Sequence, residues 1–133
     1  MAASNEIREL RVALTVDDFD EAVRLYRDGL GLSVVKAWDE PTGRGVILAA
    51  GQATLELIDR PQAEFIDQAE VGQRVAGPVR LALEFPDIQS AITAARAMGA
   101  RLVHDPAITP WDSLNARLEA PDGMQITFFQ QPR

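Results

Sequence analysis

One pattern stated twice constrains this chain more than any other feature. Leu10 to Val16, Leu-Arg-Val-Ala-Leu-Thr-Val, has a near copy at Val79 to Phe85, Val-Arg-Leu-Ala-Leu-Glu-Phe, and each copy runs on through an acidic residue into a helical pattern. A side-chain period of two puts Leu10, Val12, Leu14 and Val16 on one face and Arg11, Ala13 and Thr15 on the other, the signature of a half-buried strand. A unit repeated in this way calls for two similar modules side by side.

The rest of each module follows in the same order. Asp18 with Glu21 makes a capping-box-like start, and Phe19, Ala22, Val23, Tyr26 and Leu30 recur at helical spacing until Gly29 and Gly31 end the helix. Ser33 to Trp38, Gly45 to Ala50 and Ala53 to Asp59 then read as three strands. In the second module Pro86-Asp87 opens a helix with Ile88, Ala91, Ile92, Ala95 and Met98 as its apolar positions. Arg101 to His104, Leu114 to Ala120 and Met124 to Gln130 follow as strands. The expected class is α+β, with strand-helix-strand-strand-strand modules over residues 7–59 and 78–130. Residues 60–77 are mostly polar and read as a linker, with a short helix near Ala63 to Ala69, while residues 1–6 read as a frayed end.

A length of 133 residues with 47% hydrophobic content suits one compact unit and rules out two large independent domains. A net charge of -7 disfavours nucleic acid and anionic membrane as partners, since both need basic surface. No apolar run approaches the ~20 residues of a membrane span, and the start lacks the basic and apolar regions of a signal peptide, so a cytoplasmic location is expected. Zero cysteines exclude disulfides, thiolate metal sites and a cysteine nucleophile. The Gly-x-Ser-x-Gly, phosphate-loop and His-Glu-x-x-His motifs are also missing.

The order and spacing of the modules resemble the vicinal oxygen chelate superfamily, which includes glyoxalase I, extradiol dioxygenases, methylmalonyl-CoA epimerase and the bleomycin-resistance proteins. The likeness is carried by Val12-Ala13-Leu14-Thr15-Val16-Asp17-Asp18, Leu25-Tyr26-Arg27-Asp28-Gly29-Leu30-Gly31-Leu32, Thr109-Pro110-Trp111 and Ala120-Pro121-Asp122-Gly123. It implies a curved mixed sheet forming a cup, with helices on the outer face. In metal-dependent members, four cup positions on the first and last strands of the modules hold a divalent ion. By the resemblance those positions here are Arg11, Glu56, Arg80 and Thr127. Arginine has no lone pair to give and threonine is a poor ligand, so only Glu56 could bind a metal in that manner. The lone histidine, His104, cannot restore the set, and no metal or other cofactor is expected.

Strand alternation adds Ala13, Thr15, Thr54, Ile58, Ala82, Glu84, Gln125 and Phe129 to the cup wall. Two readings of the arginines stay open. Buried charges need partners, so Arg11 would pair with Glu56, and Arg80 with Glu84 or a neighbour. Alternatively a guanidinium oriented by a carboxylate still offers donors to a ligand. Trp38 and Trp111 are candidates for stacking on a flat ligand, against simple packing or a dimer contact. His104 reads as a strand end near solvent.

The leading expectation is a metal-independent small-molecule-binding protein of the bleomycin-resistance type, sequestering or carrying an aromatic or amphipathic ligand. Its candidate ligand-binding residues are Arg11, Thr15, Trp38, Glu56, Arg80, Trp111, Gln125, Thr127 and Phe129. The alternative is a lyase, isomerase or cyclase in which Arg11 and Arg80 stabilise an oxyanion and Glu56 or Glu84 acts as base. A partner module with a filled cup is a third reading. A homodimer is expected from the resemblance.

Overall fold

Both alternating runs become strands, and they meet at the centre of the molecule. The structure, a computed structural model describing residues 4–132, runs β1 (Glu9–Thr15), α1 (Phe19–Val23), β2 (Val34–Glu40), β3 (Gly43–Ala50), β4 (Ala53–Ile58), α2 (Arg60–Glu70), β5 (Val79–Glu84), α3 (Ile88–Ala97), β6 (Arg101–Ile108), β7 (Leu114–Glu119) and β8 (Gln125–Gln130). A π-helical stretch, Arg24–Gly29, continues α1. The eight strands form one mixed sheet in the order β2-β3-β4-β1-β5-β8-β7-β6. Within each half the first strand lies parallel to the last, β1 to β4 and β5 to β8, and the halves join antiparallel through β1 and β5. At that seam Arg11 lies opposite Ala82 and Ala13 opposite Arg80, as a twofold relation between the copies requires.

The apolar face of each half is covered by its own helix. Leu48 and Leu57, both fully buried, pack with Val23 and Val46 under α1, and Leu14, Val16, Phe19 and Tyr26 close the cluster. Ile88, Ile92, Ala116, Leu118 and Phe128 do the same under α3. Burying each leucine or isoleucine of this kind contributes about 1.5–3 kcal/mol. Both helix starts follow the acidic signals in the sequence. Asp18 accepts from the Glu21 amide at 3.0 Å, and Asp87 from the Gln89 amide at 3.1 Å.

Three expectations change. Residue 5 is tied down, because Asn5 donates to the Asp87 carbonyl at 2.8 Å and accepts from its amide at 2.9 Å; residues 1–3 lie outside the described residues. The strand expected at Arg101 to His104 extends to Ile108, with register shifts on either side of His104. Pro106 lacks an amide to donate, which a sheet tolerates on an edge strand such as β6.

The largest change is in the supposed linker, where the short helix expected near Ala63 to Ala69 takes up the first 11 residues as α2. Asp59 caps it, accepting from the Gln62 amide at 2.9 Å. It lies on the inner side of the sheet, where Ala63 and Ile66 pack on Ile58 and Trp38. Its first turn rests on the start of β3 so closely that a Cβ at Gly43 would run into the Gln62 backbone. Gln62, Asp67 and Glu70 are among its buried residues. A helix that buries polar side chains shows no apolar stripe, and so it reads as a linker. Among the described residues no helix is long and apolar enough to cross a membrane.

Candidate functional site

The inner face of the sheet divides into a closed region under α2 and a half-open end beside β1. In the closed region Arg80 donates to Thr127 Oγ1 at 3.1 Å and faces Glu56 Oε1 at 3.4 Å, both charged side chains being 7% exposed. Ala13 explains that pairing. It is the cross-strand neighbour of Glu56 on one side and of Arg80 on the other, so the two long side chains meet over a methyl group.

Arg80 thus has a neighbouring carboxylate as its partner, one of the two alternatives expected for it, whereas the Arg11–Glu56 pair does not form. Arg11 sits between Thr54 and Ala82, out of register with Glu56, and its Nε donates instead to Glu9 Oε2 at 2.8 Å. Arg80 and Glu84 stand four residues apart on one strand, about 13 Å, beyond pairing distance.

Three of the four positions that the resemblance assigns to a metal therefore do contact one another, as an ionic and hydrogen-bonded set. They do not suit a divalent ion. One is the Arg80 guanidinium, the Thr127 oxygen already accepts from it, and the single carboxylate, Glu56, faces it too, while the fourth position, Arg11, is a second guanidinium. Among the described residues no three or more His, Cys, Asp or Glu side chains converge to hold a metal.

Under the far end of α2 lies a group that sequence reasoning missed. Arg117, wholly buried, has NH2 2.9 Å from Glu70 Oε1 and NH1 2.9 Å from Asp67 Oδ1. Glu70 also accepts from Thr127 Oγ1 at 2.7 Å and from Asn115 Nδ2 at 2.8 Å. Asp67 Oδ2 accepts from the Val75 and Ala76 amides at 2.8 and 2.9 Å and from Arg74. Burial works to raise the Asp67 pKa, but those amides and the two arginines outweigh it and hold the carboxyl below its ordinary value. The sequence did carry a signal. In Leu114 to Ala120 the apolar Leu114, Ala116 and Leu118 face α3, which leaves Asn115, Arg117 and Glu119 on the cup face.

The predicted residues thus separate. Glu56, Arg80, Gln125 and Thr127 belong to the closed region, where Gln125 accepts from Arg117 at 3.3 Å and donates to Glu119 at 2.9 Å. Trp38 packs beneath α2, and Trp111 lies against Phe65 with ring centroids 6.0 Å apart. Thr15 lines a separate cleft of about 650 Å³ with Asp17, Arg60, Glu64 and Arg74. His104 is exposed on β6, Nδ1 lying 2.7 Å from the Asp105 carbonyl.

Arg11, Glu84 and Phe129 remain together at the half-open end. The Arg11 guanidinium lies over the buried Phe129 ring, 5.2 Å from its centroid, and its side chain keeps 19% exposure. Its one hydrogen bond among the described residues uses Nε, so the two terminal nitrogens are not engaged. Glu9 is fixed by Arg11 and by Thr54 Oγ1, which donates to it at 2.6 Å. The cross-strand partner of Glu9 is Glu84, and the environment drives the two apart. Burial tends to raise Glu9, but hydrogen bonds from Arg11 and Thr54 carry it below the ordinary value. Burial, then the charge of Glu9, pushes Glu84 above it.

Comparison with known proteins agrees with this fold. The chain matches the sequence profile of the Glyoxalase/Bleomycin resistance protein/Dioxygenase superfamily over residues 10–128. No curated protein sequence matches it. Among solved structures, methylmalonyl-CoA epimerase from Mycobacterium tuberculosis superposes with a TM-score of 0.68 at 22% identity, covering 100% of this chain and 94% of that one. Streptomyces coelicolor methylmalonyl-CoA epimerase in complex with 2-nitronate-propionyl-CoA gives 0.68 at 18% identity, covering 98% and 100%. A glyoxalase/bleomycin resistance protein/dioxygenase superfamily member from Vibrio splendidus 12B01 gives 0.61 at 16%, covering 95% and 100%. At these identities the likeness is one of fold.

Proposed function

Because the chain belongs to the Glyoxalase/Bleomycin resistance protein/Dioxygenase superfamily, we propose that it is a metal-independent small-molecule-binding member whose ligand is held at the half-open end of the cup by Arg11. The observation that carries this reading is the state of Arg11. Its guanidinium is oriented by Glu9 and stacked on Phe129, yet its terminal nitrogens are uncommitted, whereas Arg80 and Arg117 are buried among their partners. A fork of free donors beside an aromatic ring suits a planar ligand with a carboxylate, phenolate or carbonyl oxygen. Glu56, Arg80, Gln125 and Thr127 act in this reading as the floor that holds the site in shape. Exposed apolar side chains at Leu25, Leu30, Val34 and Val35 support a homodimer, which light scattering would test.

A thermal-shift screen of aromatic carboxylates and phenols on chelator-treated protein provides the test. A stabilising ligand is expected, and Arg11→Gln should weaken it at least tenfold, the usual loss for a charge-assisted contact of about 1.5–3 kcal/mol. Unchanged affinity in Arg11→Gln would place the site elsewhere.

A second reading, an isomerase or lyase, is favoured by Glu84. Of the two candidate bases, Glu56 is buried against Arg80, while Glu84 is partly open, near Arg11, and raised above the ordinary carboxyl value by burial and then by the charge of Glu9. Deuterium exchange into an acyl thioester or ketone at its α-carbon, insensitive to chelator and lost in Glu84→Gln, would favour that reading over simple binding.

A further inference from the structure

The group under α2 has the form of a binding site that already contains a ligand. The Glu70 carboxylate accepts from Arg117 NH2 at 2.9 Å, Arg117 Nε at 3.3 Å, Thr127 Oγ1 at 2.7 Å and Asn115 Nδ2 at 2.8 Å. Every one of these donors belongs to the sheet, and each is aimed by a second partner on the sheet or, for Asn115, on the residue just before β7. Ser113 Oγ donates to Asn115 Oδ1 at 2.6 Å, which turns the Asn115 amide nitrogen toward Glu70. Gln125 Oε1 accepts from Arg117 NH1 at 3.3 Å and so helps fix the plane of the guanidinium. Arg80 donates to Thr127 Oγ1, which commits the hydroxyl hydrogen to Glu70. Asn115 and Thr127 are oriented with no contribution from the helix, as preorganised recognition of a carboxylate requires, while the Arg117 guanidinium is aimed by Gln125 and also by Asp67 Oδ1 of α2, 2.9 Å from NH1.

The helix is fastened mainly by polar contacts at this end. Its buried apolar residues are Ala63 and Ile66, near its middle, and Phe65 meets Trp111 at the surface. Apolar residues of similar volume would cover a sheet at least as stably as buried ions do. A charged cover over an oriented donor set fits a helix that can leave.

We infer that Arg117, Asn115 and Thr127 form a carboxylate-binding site for a small ligand, and that Glu70 occupies it in cis until α2 lifts and the ligand's carboxylate takes its place. This is separate from the Arg11 site and does not depend on it. Apparent affinity scales with the fraction of molecules in which α2 is lifted. A lifted fraction of about a tenth in the wild type would give roughly a tenfold gain when the competing carboxylate is removed.

Both of the chain's tryptophans touch α2, Trp38 through Ala63 and Ile66 and Trp111 through Phe65, so intrinsic fluorescence reports its position. Acetate, propionate and benzoate would be titrated against chloride at constant ionic strength. The expected result is a saturable red shift whose midpoint falls about tenfold in Glu70→Gln. An equal or higher midpoint in Glu70→Gln, or no shift with any of the three, overturns the inference. Ala63→Cys supplies the second readout, since the chain has no other cysteine and position 63 is buried beneath the helix. Its alkylation rate should rise saturably with benzoate. A rate that benzoate leaves unchanged, matching global unfolding, makes α2 a fixed part of the core and ends the proposal, including when Glu70→Gln does not fold. The same titrations repeated in an Arg11→Gln background remove the other candidate carboxylate site, so a red shift that persists there belongs to the site under α2, and one that vanishes there overturns the inference.

Discussion

Replacing Arg117 with methionine keeps the aliphatic stem of a wholly buried side chain while deleting the guanidinium and its charge. Glu70, 2% exposed, then loses its cation, and Asp67, 1% exposed, keeps only Arg74 and two amides. Removing one partner of a buried pair typically costs about 3–5 kcal/mol, because a charge is left in low dielectric without compensation. At about 2.1 cal/mol/K of unfolding entropy per residue, 133 residues convert that loss into a fall in Tm of roughly 10–18 °C. Differential scanning calorimetry or thermal circular dichroism of wild type and variant reads it directly. The double variant Arg117→Met/Glu70→Leu removes one charge of each sign, so its loss should be smaller than the sum of the single losses by about 1–3 kcal/mol. A fall below about 3 °C, the scale of an exposed pair worth no more than ~1 kcal/mol, would refute the description of this group as a buried, energetically coupled network. Strictly additive losses would refute it equally.

Other expected outcomes concern pH and packing. The Asp67 carboxyl has its folded-state pKa depressed, so its contribution is present above the unfolded value and lost as pH falls through the folded one. Asp67→Asn should therefore flatten the acid limb of a stability-versus-pH curve measured by urea denaturation. Glu84 has the opposite sign: its folded pKa is raised, so its contribution is greatest below the unfolded value and declines as pH rises through the folded one. Glu84→Gln should consequently raise the urea midpoint at pH 7 while changing little at acid pH. A methyl group at Gly45 would enter the Trp38 indole ring, and Gly45→Ala should lose about 1–3 kcal/mol by overpacking, with a shift in tryptophan emission.

The architecture was legible because apolar residues announce it. Leu10 to Val16 and Val79 to Phe85 each present one apolar face, and the helices that cover those faces begin at Asp18 and Asp87 as their side chains indicate. What escaped notice was polar and buried. α2 lies against the cup through Gln62, Asp67 and Glu70 as well as Ala63 and Ile66, so its sequence has the composition of a linker. Ion-pair partners were illegible for a different reason. Alternation assigns Arg11, Glu56, Arg80 and Glu84 to one face but says nothing of cross-strand register, and register puts Ala13 between Glu56 and Arg80. Glu9, the actual partner of Arg11, stands two residues before it on the same face and just outside the strand as first drawn. Arg117 needed only the alternation rule applied to β7, where a strand with one apolar face carries Asn, Arg and Glu on the other.

The central claim is that the cup binds its ligand through Arg11 without a metal. It is tested most directly by isothermal titration of the strongest thermal-shift ligand into chelator-treated wild-type protein and Arg11→Gln, each repeated with added divalent cations. Binding to the wild type that is the same with and without cations, and weakened at least tenfold by the substitution, is the predicted result. Binding that appears only when a divalent cation is restored, or that Arg11→Gln leaves intact, would contradict it.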